Sequence, residues 1–131
     1  MPDPSARATV LADALATLRP RLHDQPVVYA VVARGYDAAE AWATVREQEG
    51  LTVLVDQSVA DADGLVYEFV GAIITLGVET DLELVGLTAA VATALAEAGL
   101  PCNVLAGFHH DHLVVPWDRR HDAMAVLAAL R

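Results

Sequence analysis

Lysine is absent from this chain of 131 residues, and all eight basic residues are arginine. Eighteen Asp and Glu oppose them, for a formal net charge of −10 and an isoelectric point near 4.6. Nucleic acid requires a basic face, so it is not expected as a partner. The alanine-rich composition makes the missing lysine a matter of base composition rather than chemistry. Cysteine occurs once, at Cys102, so no intrachain disulfide forms. Nothing basic adjoins it in an apolar stretch, which marks an inert core thiol. Serine occurs only as Ser5 and Ser58, neither within Gly-x-Ser-x-Gly. Gly71 and Gly77 are isolated and Gly35 precedes Tyr36, so no phosphate-cradling loop exists. The longest uncharged apolar run, residues 84–96, is closed by Glu83 and Glu97. It falls short of the ~20 residues of a membrane span. No basic segment leads into an apolar stretch at the N-terminus, so a cytoplasmic location and no membrane contact are expected.

Apolar residues are plentiful. Hydrophobic types make up 55% and the mean hydropathy is +0.39. Disorder is excluded, and more apolar surface is expected than a small monomer hides. Val10, Leu11, Ala14, Leu15 and Leu18 lie on one helical face behind Ser5 as a cap, and Pro20 stops that helix. Residues 26–32 and 51–55 read as strands. Residues 42–46 favour a strand by their aromatic and β-branched content, making a hairpin with 51–55; a continuous helix over 38–48 is the alternative. Residues 67–76 read as a central strand. Asp81 is expected to cap a helix carrying Leu84, Leu87, Val91 and Leu95 inward, closed by Gly99 and Pro101. Residues 102–108 and 112–115 form a second hairpin, and a last helix turns Met124, Leu127 and Leu130 inward. The fold class is therefore α+β, an antiparallel sheet with helices on one face. The second half runs strand, helix, hairpin, helix, one strand short of a βαββαβ unit. That strand must come from the first half or from another chain, and a homodimer is expected.

The chemistry-bearing residues are sparse. His110 and His112 share one face of a strand, with Asp111 between them. His23 and His121 are remote in sequence, so no closed metal site follows from spacing, and His112 is read as a local hydrogen-bonding cover of the sheet edge. Glu47 and Glu49 sit at a turn; Glu79, Asp81 and Glu83 lead into a helix, where carboxylates favour the N-terminus. No catalytic residue, metal or cofactor is assigned. Gly86, inside the expected first turns of the helix, costs ~1 kcal/mol relative to alanine. It permits close approach of a ligand or of another backbone. Free amides over Val85, Gly86 and Leu87 could hold a carboxylate, and Asn103 could orient a polar group. Close helix–sheet packing is the competing explanation for Gly86.

Several stretches taken together resemble the ACT domain superfamily. They are Ile73-Ile74-Thr75-Leu76, residues 84–99 around Val85-Gly86-Leu87-Thr88, Pro101-Cys102-Asn103-Val104 and Asp111-His112-Leu113-Val114-Val115-Pro116. In the first half, residues 45–53 (Val-Arg-Glu-Gln-Glu-Gly-Leu-Thr-Val) are similar to small stand-alone bacterial proteins made of two ACT-like halves. The resemblance spans about residues 20–130. It implies ferredoxin-like halves at 1–65, which is degenerate and carries a leading helix, and at 66–131. It also implies a non-catalytic, regulatory role, binding an amino acid or similar small molecule and acting through a partner protein. The ligand would lie against Val85, Gly86 and Leu87, with Asn103 alongside. A structural or protein-interaction module without ligand is the alternative, and a small ferredoxin-like enzyme a third.

Overall fold

At Pro20 the apolar spacing changes from helical to alternating, and the chain changes with it. In the computed structural model the structure describes residues 11–78 and 83–130. Helix α1 (Leu11–Ala16) buries Ala14, and Leu18 follows it into the core. Pro20 then does more than end a helix. It opens a short strand, β1 (Pro20–Leu22), that the sequence reading lacks. Proline is tolerated there because the first residue of a strand need not donate to the ladder.

The remaining elements follow in order. Strands β2 (Val27–Val32), β3 (Ala43–Glu47) and β4 (Gly50–Asp56) precede the short helix α2 (Gln57–Ala62). Strand β5 (Val70–Leu76), helix α3 (Leu87–Glu97) and the hairpin β6 (Asn103–Ala106) and β7 (Asp111–Pro116) come next. A 3-10 turn (Trp117–Arg119) leads into α4 (Arg120–Ala128). The strand alternative for residues 42–46 holds, since Ala43 pairs with Leu54 and Glu47 with Gly50. β5 starts at Val70 rather than at Tyr67. The Tyr67 hydroxyl donates to Asp61 at 2.7 Å and accepts from Gln57 at 3.1 Å, which ties the preceding segment back to α2. The expected caps Ser5 and Asp81 lie outside the described residues.

All strand pairs are antiparallel, in the order β3-β4-β2-β5-β7-β6, with β1 also on β5. β1 and β2 run end to end along one edge of β5. Leu22 faces Ile74 and Val27 faces Gly71, so five steps along one strand match three on the other. The two extra residues form a bulge, and an even insertion keeps each side chain on its own face. The strand that the second half lacks is thus supplied by the first half, beside β5.

Register divides the sheet into two faces. Ala72, Ile74, Leu76, Leu113 and Val115 join Leu87, Val91, Leu95, Ala123 and Leu127 in the main core beneath α1, α3 and α4. Val28, Ala30, Val32, Val53 and Val55 pack with Ala60 of α2 in a second cluster. Val70 continues this cluster on the same face of β5 as Ala72. All four helices therefore lie on one face. The opposite face, here the back face, carries a third apolar cluster of Val27, Leu54, Ile73 and Val114, bordered by Tyr29, Ala43, Phe69 and Leu105.

Candidate functional site

The back face turns polar at one end, and the pairing register explains how. Arg21 of β1 faces Thr75 of β5, Thr75 faces His112 of β7, and His112 faces Leu105 of β6. Directly opposed residues of antiparallel strands project on the same side, so these form one row across four strands. His23, two residues beyond Arg21, is anchored by its amide to the Ile73 carbonyl at 3.0 Å. Its ring returns to the row, with Nε2 lying 2.7 Å from Thr75 Oγ1. On the other side, His112 Nδ1 lies 2.9 Å from the same oxygen. A hydroxyl has one proton. Thr75 therefore donates to one neutral imidazole while accepting from the other, and the tautomers of two rings 89 positions apart in sequence are linked.

Trp42 forms the outer wall. Its ring meets His23 edge-on at 4.9 Å between centroids, and its indole N–H donates to Asp56 at 3.0 Å. Arg19 and Gly77 form the near end. Arg19 is the one non-glycine with positive φ, 42°, among the described residues. It is held there by the Gly77 amide, which donates to the Leu18 and Arg19 carbonyls at 2.9 and 3.0 Å. A Cβ on Gly77 would stand 2.7 Å from the Arg19 carbonyl oxygen, so only glycine permits this approach. Together Arg19, Arg21, His23, Trp42, Thr75, Gly77, His110 and His112 line an open cleft of about 420 Å³. That lies within the size of small-molecule sites.

Burial pushes both bridged imidazoles below the ordinary 6.5, with Arg21 acting on each in the same direction. His110 adds to the effect on His112, while Asp24 and Asp111 oppose it at His23 and His112 respectively. The sign of the pH dependence follows. A base whose folded pKa is depressed is neutral in the native state and binds protons more readily once unfolded. Its contribution is complete above 6.5 and is lost as the pH falls through the window below that value. Asp111, raised above 3.8 by its own burial, acts in the opposite sense at more acidic pH. Without ligand, the thermal midpoint is expected to drop between about pH 7.5 and about pH 5.5, and replacing both His23 and His112 by glutamine should flatten that drop. An equally steep profile in the double variant would show that other groups carry it.

The four residues singled out from sequence are not gathered at this cleft. Gly86 is not inside α3. It is the N-cap, with φ at 102°, and the helix starts at Leu87. A Cβ on Gly86 would meet Leu11 of α1 at 3.1 Å. Leu87 is a core side chain beneath the helices, whereas Val85 is 85% exposed. Asn103 faces Val114 across the β6–β7 ladder and so projects from the back face, across the sheet from Leu87. Gly86→Ala is expected to cost about 1–2 kcal/mol, because an L side chain is disfavoured at positive φ. Chemical denaturation measures it, and an unchanged midpoint would contradict the backbone explanation.

His110 and His112 do share a region, and His23 joins them despite its distance in sequence. Residues 19–23, Arg-Pro-Arg-Leu-His, place polar groups at a two-residue period, the signal that could have revealed this edge. Among the described residues no group of three or more His, Cys, Asp or Glu could hold a metal ion. Cys102 is half-buried, and that burial raises its thiol above the ordinary value.

No curated protein matches the chain. A Vibrio cholerae protein of unknown function, described as a possible transport protein, has a solved structure 36% identical to this sequence. The match covers 88% of this chain and 91% of that one, with a TM-score of 0.80. An Agrobacterium tumefaciens protein shares the fold at 16% identity and a TM-score of 0.70, over 85% of this chain and 87% of its own. A chain from the crystal structure of aspartokinase alpha and beta subunits shares it at 12% identity and a TM-score of 0.58, over 85% of this chain and 95% of its own. Family models described as ACT domain match residues 8–72 and 67–129. With two such matches spanning nearly all its length, the chain belongs to the ACT domain family and carries two ACT units in tandem.

Proposed function

We propose that this protein is a non-catalytic regulatory module that binds a small carboxylate-bearing molecule, an amino acid or a close relative, in the back-face cleft. It acts through a partner protein. The two ACT units would divide near residue 65. The observation that carries the reading is the Thr75 hydroxyl held between His23 and His112 on the floor of a ligand-sized cleft. The cleft is built from both halves. Arg19, Arg21, His23 and Trp42 come from the first, and Thr75, His110 and His112 from the second. A ligand touching both gains contacts only when they are docked, so it shifts the equilibrium between docked and loosened arrangements. A strand-to-helix site at Val85, Gly86 and Leu87 with Asn103 receives less support, because its members project from different faces.

Isothermal titration with the common amino acids and their deaminated analogues tests the reading. Heat with at least one of them, lost in Thr75→Val, is the expected result. Silence from all of them, with no thermal shift, would overturn it. A second reading, an interaction module without ligand, is favoured by one specific observation. Val31 and Val45 flank Thr52 on the back face and are 62% and 49% exposed. Such an apolar row also supports a homodimer. Light scattering at micromolar concentration should then give twice the chain mass, and a monomer would count against pairing.

A further inference from the structure

We infer that the cleft selects an acidic ligand, a small molecule presenting two anionic oxygen groups, over a neutral zwitterion. This rests on the binding role proposed above and specifies the charge of what is bound. In a chain with eighteen acidic residues and eight arginines, the cleft has the reverse balance. Among the described residues, two arginines and three of the five histidines line it, and no Asp or Glu does. Among the described residues, the side chains of Arg19 and Arg21 make no ion pair and no hydrogen bond. Unpaired guanidiniums are the residues suited to planar recognition of carboxylate or phosphate.

Among the described residues, three acids adjoin members of the cleft, and all are otherwise placed. Asp56 accepts from Trp42. Asp111 faces Ala106 in the β6–β7 ladder and so projects to the helix side of the sheet. Asp24 is exposed and next to His23 in sequence. None of the three lines the cleft to receive the ammonium group of a zwitterion. Arg19 also adopts an uncommon backbone conformation at the mouth of the cleft, where strain tends to mark function.

An arriving anion favours the protonated form of His23 and His112 and relieves their repulsion with Arg21. Binding should therefore draw protons from solvent and strengthen as pH falls, opposite in sense to the ligand-free stability trend. The probes are succinate, inorganic phosphate and L-alanine, titrated into the full chain at about pH 6 and about pH 8, where imidazole changes charge. Succinate separates a carboxylate source of the signal from a phosphate source. The expected result is at least about tenfold tighter binding of succinate or phosphate than of alanine, weaker at the higher pH. Arg21→Gln should abolish the preference, Arg21→Lys should restore part of it, and Arg34→Gln, at the distant β3–β4 end, should leave it intact. Buffers of different ionisation enthalpy should report proton uptake. Alanine binding as tightly as succinate, or a preference unchanged in Arg21→Gln, would overturn the acidic specificity while leaving a binding cleft in place. Failure of every amino acid and every probe would overturn both readings.

Discussion

Ile73→Ala should lower the free energy of unfolding by about 2–5 kcal/mol, the range for removing most of a buried aliphatic side chain and leaving a cavity. Ile73 is completely buried although no helix lies over its face of the sheet. Its cover comes from Val27, Leu54 and Val114, with Phe69 and Tyr29 at the margin, their rings 6.5 Å apart. That layer has few atoms to spare, so collapse around a truncated side chain is limited. The Ile73 carbonyl also anchors the His23 amide, so loosening this strand also loosens the floor of the cleft. Urea denaturation gives the stability term, and Ile73→Val should cost only about 0.5–1.5 kcal/mol. A cost under about 1 kcal/mol for the alanine variant would mean that the back-face cluster does not act as a core of its own.

The second large effect joins stability to binding. In Gly77→Ala the added methyl would lie 2.7 Å from the Arg19 carbonyl oxygen and 2.9 Å from Arg19 Cβ. Both belong to or adjoin backbone and cannot swing away, unlike the tip of a long side chain. Either β1 lifts from the end of β5 or the β5 end bends. Overpacking of this kind costs about 1–3 kcal/mol. The two hydrogen bonds that hold Arg19 at positive φ are lost with it, so Arg19 and Arg21 leave their places. Affinity for the cleft ligand should fall about tenfold or more, equivalent to about 1.4 kcal/mol. Amide exchange should show loss of protection confined to residues 18–23 and 75–77. Unchanged exchange there, with unchanged affinity, would show that the arginines do not depend on this contact.

The elements with a clear period were legible from the chain itself. β4 and β5 stand out by their β-branched runs and α3 by Leu87, Val91 and Leu95, whereas residues 42–46 fit a strand or a helix until their pairing with β4 decided for the strand. Local pattern failed where a distant contact decided the outcome. β1 has three residues and begins with proline, so nothing local marks it as a strand; it exists because the β5 edge is there to pair with. α3 starts later than its apolar pattern implies, at Leu87, for a related reason. Gly86 reads as a weak helical residue, but its backbone takes a left-handed turn that ends the loop and lets Leu11 pack beside it.

The candidate site divides in the same way. The sequence carries both the His110-x-His112 and the Arg19-x-Arg21-x-His23 period. No sequence spacing could join them to Thr75. Composition and periodicity determined an acidic α+β chain, an antiparallel sheet with helices on one face, because burial and alternation are properties of near neighbours; the two ACT units followed from the resemblance of its motifs. The tertiary structure alone decided which half completes the other, that the pairing of β1 with β5 puts Arg21 and His23 on the Thr75 side, and that one hydroxyl bridges two imidazoles. Those outcomes depend on register between strands far apart in the chain. Register is set by the simultaneous fit of every pair across the sheet.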